Sequence, residues 1–335
     1  MKRFLITVFA ILILAAASLS LFAQTKDYRG EIGNSHIQMR LNFNGANVTG
    51  TYSYDSVGQD LKLTGQINSQ GVLELKESDG KGKSTGKFVC KHFDDPIDSE
   101  CNWTRTDGSH ESMVTLELQH LAFTNGLELK PKTISNRRTS VSASYPQLIG
   151  KEPLNAAAQN FNRRVLELVQ KGIKEFDPID GRGTFDANYT VLLGTNDLVS
   201  IELAVYYDGG GAHPNNYFVA LTYDLAANKE LKFEDLFQAG ADYKAAIAKY
   251  LVADIDKRAT ALEQKDATAP VQKRDEPIVS EDQLSELSGW GLTPKGLVVY
   301  FDFPHVIAYF DKNFVPYNAV KQYLKPGGPA ARWAN

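Results

Sequence analysis

From Asp27 to His120, apolar side chains recur at every second position, in short runs cut by turn residues. Ile37, Met39, Leu41 and Phe43 share one face, as do Tyr52 and Tyr54, and then Leu61, Leu63 and Ile67. The pattern continues through Leu73 with Leu75, Phe88 with Cys90, Cys101 with Trp103, and Val114, Leu116 and Leu118. Between the runs lie Asn44-Gly45, Val57-Gly58, Ser69-Gln70-Gly71, Asp79-Gly80 and Asp107-Gly108. A repeat of two is the side-chain period of a β-strand, and tight polar turns join antiparallel neighbours. About eight short strands in a meander are predicted.

An open meander leaves two edges with unpaired backbone groups, and closure removes both. The expected form is a small closed barrel that resembles the lipocalin or avidin type. Tyr28, Tyr52, Tyr54 and Trp103 read as core, the alternative being the mouth of a site for a small apolar ligand. The two cysteines, Cys90 and Cys101, are expected to form one structural disulfide in an oxidising compartment, across the turn containing Asp94-Asp95-Pro96.

The first residues read as a targeting signal. Lys2 and Arg3 precede an almost uninterrupted apolar run from Leu5 to Leu21, and Phe22-Ala23-Gln24 offers a cleavage point after Ala23. The alternative is retention of that run as a membrane anchor. With cleavage, no stable anchor is expected, and the location is periplasmic or secreted. The formal net charge is −4, and about −6 without Lys2 and Arg3. Such a balance argues against nucleic acid and suits a cationic partner.

Three segments are therefore expected: a signal over residues 1–23, a barrel over 24–130, and a second domain over 131–335. Residues 129–139 read as a polar connection without pattern. Beyond it a strand is predicted over 140–145, then a helix from Leu154 to Phe176 with Ala157, Phe161, Val165, Leu168, Val169 and Ile173 at helical spacing. Alternating strands follow, then a helix from Ala241 to Ala259, an irregular excursion from Thr260 to Ser280, and a capping box at Ser280 to Gln283. Pro316 to Tyr323 reads as a last helix. Strands and helices in separate blocks make the second domain α+β, so the fold class is mostly β plus α+β.

One stretch of the second domain carries chemistry. Tyr206-Tyr207-Asp208-Gly209-Gly210-Gly211-Ala212-His213-Pro214-Asn215 joins two strand-like runs, Leu198 to Val205 and Tyr217 to Tyr223. Consecutive glycines reach backbone conformations closed to other residues and let a partner come close. The bland reading is a hairpin loop whose Asp208 and His213 satisfy local hydrogen bonds.

The Gly-Gly-Ala-His core, with Thr222-Tyr223-Asp224-Leu225 and Phe233-Glu234-Asp235-Leu236-Phe237 after it, resembles the extracytoplasmic domain shared by the RsiV anti-sigma factor and the PdaC peptidoglycan deacetylase. Ala143-Ser144-Tyr145-Pro146-Gln147-Leu148 with Phe161-Asn162, and Val299-Tyr300-Phe301-Asp302-Phe303 with Val315-Pro316-Tyr317, extend the resemblance over residues 138 to 324. It implies a module that engages lysozyme or peptidoglycan-related material. No sigma-binding segment precedes the apolar run and no deacetylase motif follows, so binding without either output is expected.

The second domain lacks the His-Glu-x-x-His pattern of zinc hydrolases and the Gly-x-Ser-x-Gly elbow, and its glycine loop carries no Gly-Lys-Ser or Gly-Lys-Thr phosphate motif. Neither cofactor nor metal is called for. The leading expectation is a non-enzymatic binding protein of the cell envelope whose partner is lysozyme or cell-wall glycan. Its contacts are expected at Asp208, Gly209, Gly210, Gly211, His213, Asn215 and His305. The alternatives are a cell-wall hydrolase or esterase using His213, and a carrier of a small apolar ligand in the barrel.

Overall fold

A computed structural model describes residues 24–93, 100–181, 183–265 and 276–334. The apolar leader with its cleavage point at Ala23, and the Asp94-Asp95-Pro96 turn, lie outside the described residues. Among the described residues, no helix is long and apolar enough to cross a membrane.

The alternating half of the chain closes into an eight-stranded antiparallel barrel. Its strands are β1 (Gln24–Ile32), β2 (Ser35–Asn44), β3 (Asn47–Tyr54), β4 (Leu61–Ile67), β5 (Leu73–Ser78), β6 (Ser84–Lys91), β7 (Glu100–Arg105) and β8 (Glu111–Gln119). β1 closes the ring by pairing with both β2 and β8. Ile37, Leu41, Val48, Leu63, Leu73, Leu75 and Phe88 fill the interior. Each contributes about 1.5–3 kcal/mol by leaving water.

One acid sits among them. Glu77 is 3% exposed, and its Oε2 accepts from the Tyr52 hydroxyl and the Trp103 indole N–H, each at 2.6 Å. Tyr52 and Trp103 are therefore core residues whose polar ends are satisfied, and the barrel interior is occupied by side chains. Cys90 and Cys101 stand opposite one another across β6 and β7 and are joined by a disulfide.

The chain leaves the barrel at His120 and enters a second sheet. Its strands are β9 (Leu121–Ala122), β10 (Glu128–Asn136), β11 (Val141–Ile149), β12 (Thr184–Thr195), β13 (Leu198–Asp208), β14 (Asn215–Asp224) and β15 (Lys229–Glu230). They lie in the order β10-β11-β12-β13-β14-β15, with β9 also pairing β12. The stretch expected as a patternless connection is β10. It is an edge strand paired on one side only, so its Lys130, Pro131 and Lys132 cost no ladder bonds and its outward face needs no apolar side chains.

Helix α1 (Ala156–Glu175) covers one face of this sheet. Asn155 caps it by accepting from Ala158 N–H at 2.8 Å, and Ala158, Phe161, Val165 and Val169 press onto Phe185, Ala187, Val191 and Ile201. The opposite face carries a small antiparallel sheet, β16 (Gly289–Leu292), β17 (Gly296–Tyr300) and β18 (Lys312–Pro316), with α2 (Tyr243–Lys265) and α3 (Tyr317–Val320) behind it. β12 and β13 are thus sandwiched, which explains their nearly continuous burial.

Two local expectations need correction. The excursion expected from Thr260 begins as helix, since α2 continues to Lys265 through good helix formers, with Leu262 packed against the core. The capping box forms, with Ser280 N–H donating to Gln283 Oε1 at 2.9 Å, but it opens only a single 3-10 turn, Asp282–Leu284.

Candidate functional site

β13 and β14 form the predicted hairpin, and the glycine stretch is its tip, with Tyr207 opposite Asn215 at its base. Of the three glycines, Gly210 alone adopts a positive φ, +79°, which a side chain would resist. Gly211 faces open space. Asp208 Oδ1 accepts from Gly210 N–H at 2.8 Å, and Gly209 accepts from Ile179 N–H at 2.8 Å, which fastens the tip to the turn after α1. The His213 Nδ1 lies 3.0 Å from the Pro214 carbonyl. A carbonyl only accepts, so Nδ1 carries the proton, and in the neutral ring Nε2 keeps its lone pair.

The Asp208 carboxylate is thus spent on the loop backbone and His213 on the Pro214 carbonyl. The ring of His213 meets that of His305, with centroids 4.3 Å apart and planes inclined at 41°. His305 opens the 3-10 segment His305–Phe310, whose Val306 is 90% and Tyr309 63% exposed.

The base of that segment is firmly held. Phe310 is buried, Asn313 Nδ2 donates to the Phe310 carbonyl at 2.6 Å, and the Arg258 guanidinium lies over the Phe310 ring at 5.3 Å. Buried Asp311 accepts from Phe303 N–H at 2.9 Å. Two protrusions from distant parts of the chain therefore form one projecting knob on a rigid base. Of the residues expected as contacts, the structure brings His213 and His305 into contact, sets Asn215 at the hairpin base, and leaves Asp208 and the glycines shaping the backbone.

A second constellation was invisible in the sequence. The outward face of β1, β2 and β3 packs on the β11 and β12 side of the second sheet through charged groups rather than apolar ones. Arg29, 1% exposed, donates to Asp55 at 2.8 and 2.6 Å and to Asn188 Oδ1 at 2.8 Å, while its guanidinium sits 4.1 Å from the centre of the Tyr189 ring. Ser144 also donates to Asp55. Burial alone would push the Asp55 carboxyl up, but the hydrogen bonds and charge of Arg29 outweigh it and hold it below the usual range. His36 lies 2.8 Å from Asp186 and 3.5 Å from Glu31.

Farther along the same seam, Lys312 of β18 donates to Glu117 of β8 and Glu202 of β13, each at 2.9 Å. Glu202 is 1% exposed and also accepts from the Tyr300 hydroxyl. Desolvation works against the Lys312 ammonium, yet the two carboxylates outweigh it and bind its proton more tightly than water would. Burial pushes Glu202 up, with Lys312 opposing. Arg29, Glu31, His36 and Glu117 occupy outward positions of alternating barrel strands, which read in sequence as a solvated face.

A cleft of about 380 Å³ opens beside the seam, between the barrel and β9–β10, with Arg40, Tyr52, Phe123 and Lys130 among its walls. A second, of about 310 Å³, lies against Phe233 and Trp290. The lining of both excludes the knob residues.

Residues 234–311 match the profile of DUF3298, a protein family of unknown function. The matched segment runs from the turn before α2 through the His305 turn. A DUF3298-family protein from Bacteroides fragilis is similar in structure at 16% identity and a TM-score of 0.42, over 63% of this chain and 98% of its own. Another, from Pseudomonas aeruginosa PAO1, gives 18% identity and a TM-score of 0.37, over 60% of this chain and 94% of its own. No curated protein matches the chain.

Proposed function

We propose that this is a non-enzymatic binding protein of the cell envelope, acting outside the cytoplasmic membrane, and that its knob inserts into the cleft of a cationic, lysozyme-type partner. The observation that carries the reading is the meeting of exposed His213 and His305 beside exposed Val306 and Tyr309 on an anchored base. Exposed apolar and aromatic side chains grouped on one protrusion are a feature of interaction surfaces. A preformed protrusion loses little conformational entropy when it docks. The net negative charge of the chain favours encounter with a basic protein. The apolar leader and the resemblance to the RsiV and PdaC domain support the same compartment and the same class of partner.

The test is calorimetric titration of the chain from Gln24 onward with a c-type lysozyme, alongside a lysozyme activity assay. Saturable one-to-one binding at about −8 kcal/mol or better is expected. The combined variant His213→Ala, His305→Ala, Tyr309→Ala should weaken it at least ~10-fold, the loss typical of a truncated interface anchor. Binding that is absent, or unchanged in that variant, would sink the proposal. The hydrolase alternative predicts instead turnover of peptidoglycan that His213→Ala abolishes.

A further inference from the structure

Glu31 and His36 are direct cross-strand partners on β1 and β2 of the barrel, and Asp186 reaches them from β12 of the second sheet. One ligand atom from each lies within 4.8 Å of the other two. We propose that these three side chains form a binding site for a divalent first-row transition ion such as zinc, one that clamps the barrel to the second domain.

The distances suit such an ion. With bonds of about 2.0–2.1 Å and tetrahedral angles, neighbouring zinc ligands lie about 3.3 Å apart. His36 Nε2 stands 2.8 Å from Asp186 and 3.5 Å from Glu31, so shifts of tenths of an ångström bring it into place. The remaining edge, between the two carboxylates, is within 4.8 Å.

An imidazole nitrogen with two carboxylate oxygens selects zinc-class ions over magnesium or calcium, which take all-oxygen shells. The imidazole of His36 is 6% exposed and held in place, while Glu31 and Asp186, 33% and 28% exposed, are reachable from solvent. Asn188 Nδ2 donates to Glu31 Oε1 at 3.1 Å and orients it, as a supporting partner does in a metal site. The neighbouring Arg29 guanidinium is engaged by both oxygens of Asp55. On binding, the ion takes the Nε2 lone pair, and the proton that Nε2 shared with Asp186 passes to Nδ1 or to solvent.

The experiment titrates zinc chloride into tag-free protein from Gln24 onward at about pH 7.5 in a non-chelating buffer, with thermal unfolding followed in parallel. One site at about 1 µM or tighter is expected. At 100-fold excess over the dissociation constant, the unfolding midpoint should rise by about 3–8 °C, because the ion binds only the docked domains. Glu31→Gln and Asp186→Asn should each lower the affinity at least ~10-fold. His213→Ala with His305→Ala should leave it unchanged, which separates this site from the imidazole pair of the knob. If Asp186→Asn fails to fold, Glu31→Gln alone decides. The proposal is overturned if wild type shows no saturable zinc binding, if Glu31→Gln binds as well as wild type, or if binding disappears with the knob histidines.

Discussion

The knob and the seam use similar side chains to opposite ends. In the knob, two imidazoles meet at the surface beside exposed Val306 and Tyr309, and the groups beneath them are anchored. In the seam, buried Arg29 reaches from the barrel to Asn188, Ser144 from the second sheet to Asp55, and half-buried Lys312 from β18 to Glu117 of the barrel. Polar groups that are costly to bury fix how the barrel sits on the second domain, because they are satisfied in one arrangement only. The difference teaches where to look for function: charge inside the junction positions the two units, and the exposed apolar surface outside it is where the proposed partner would dock.

The largest effect that sharpens this contrast is Lys312→Met. It leaves Glu202 buried without its cation and should cost about 3–5 kcal/mol in denaturant unfolding. Adding Glu202→Gln should recover most of the loss, since the penalty lies in the stranded charge rather than in a missing attraction. Breaking the Cys90–Cys101 bridge with a double alanine change should cost about 2–3 kcal/mol, as expected for a short closed loop.

A smaller effect appears in acid. Arg332 donates to Asp197 at 2.6 and 3.0 Å, and these bonds hold the Asp197 carboxyl below its ordinary value. The unfolded chain therefore takes up this proton first as pH falls. The contribution of the pair is complete above about pH 4 and drains away below it, as a pH series of Asp197→Asn against wild type should show. The pair is partly exposed, so the difference should stay within about 1 kcal/mol. Smallest of all, His213→Ala, His305→Ala and Tyr309→Ala should each change stability by no more than about 0.5 kcal/mol, since they remove surface groups. A large loss there would make the knob structural and erase the contrast.

Much of the fold was legible in the sequence because backbone period and burial agree. The barrel strands alternate one apolar and one polar face, and β13 and β14 frame a glycine turn whose Gly210 requires positive φ. β10 was not legible, since an edge strand closed with Lys130, Pro131 and Lys132 follows no apolar pattern. The pairing of His213 with His305 was not legible either: both residues stood out singly, but only the packing of β16–β18 on the second sheet brings their loops together. The seam escaped for a different reason. Arg29, Glu31, Asp186 and Asn188 look like solvent-facing residues of amphipathic strands, and nothing local tells water from a facing domain.

The most direct measurement takes wild type, Lys312→Met and the triple knob variant, and determines both unfolding free energy and lysozyme affinity for each. The account predicts that Lys312→Met loses several kcal/mol of stability but, while folded, keeps its affinity, whereas the knob variant keeps its stability and loses affinity at least ~10-fold. Equal losses of both in either variant, or no affinity in wild type, would contradict it.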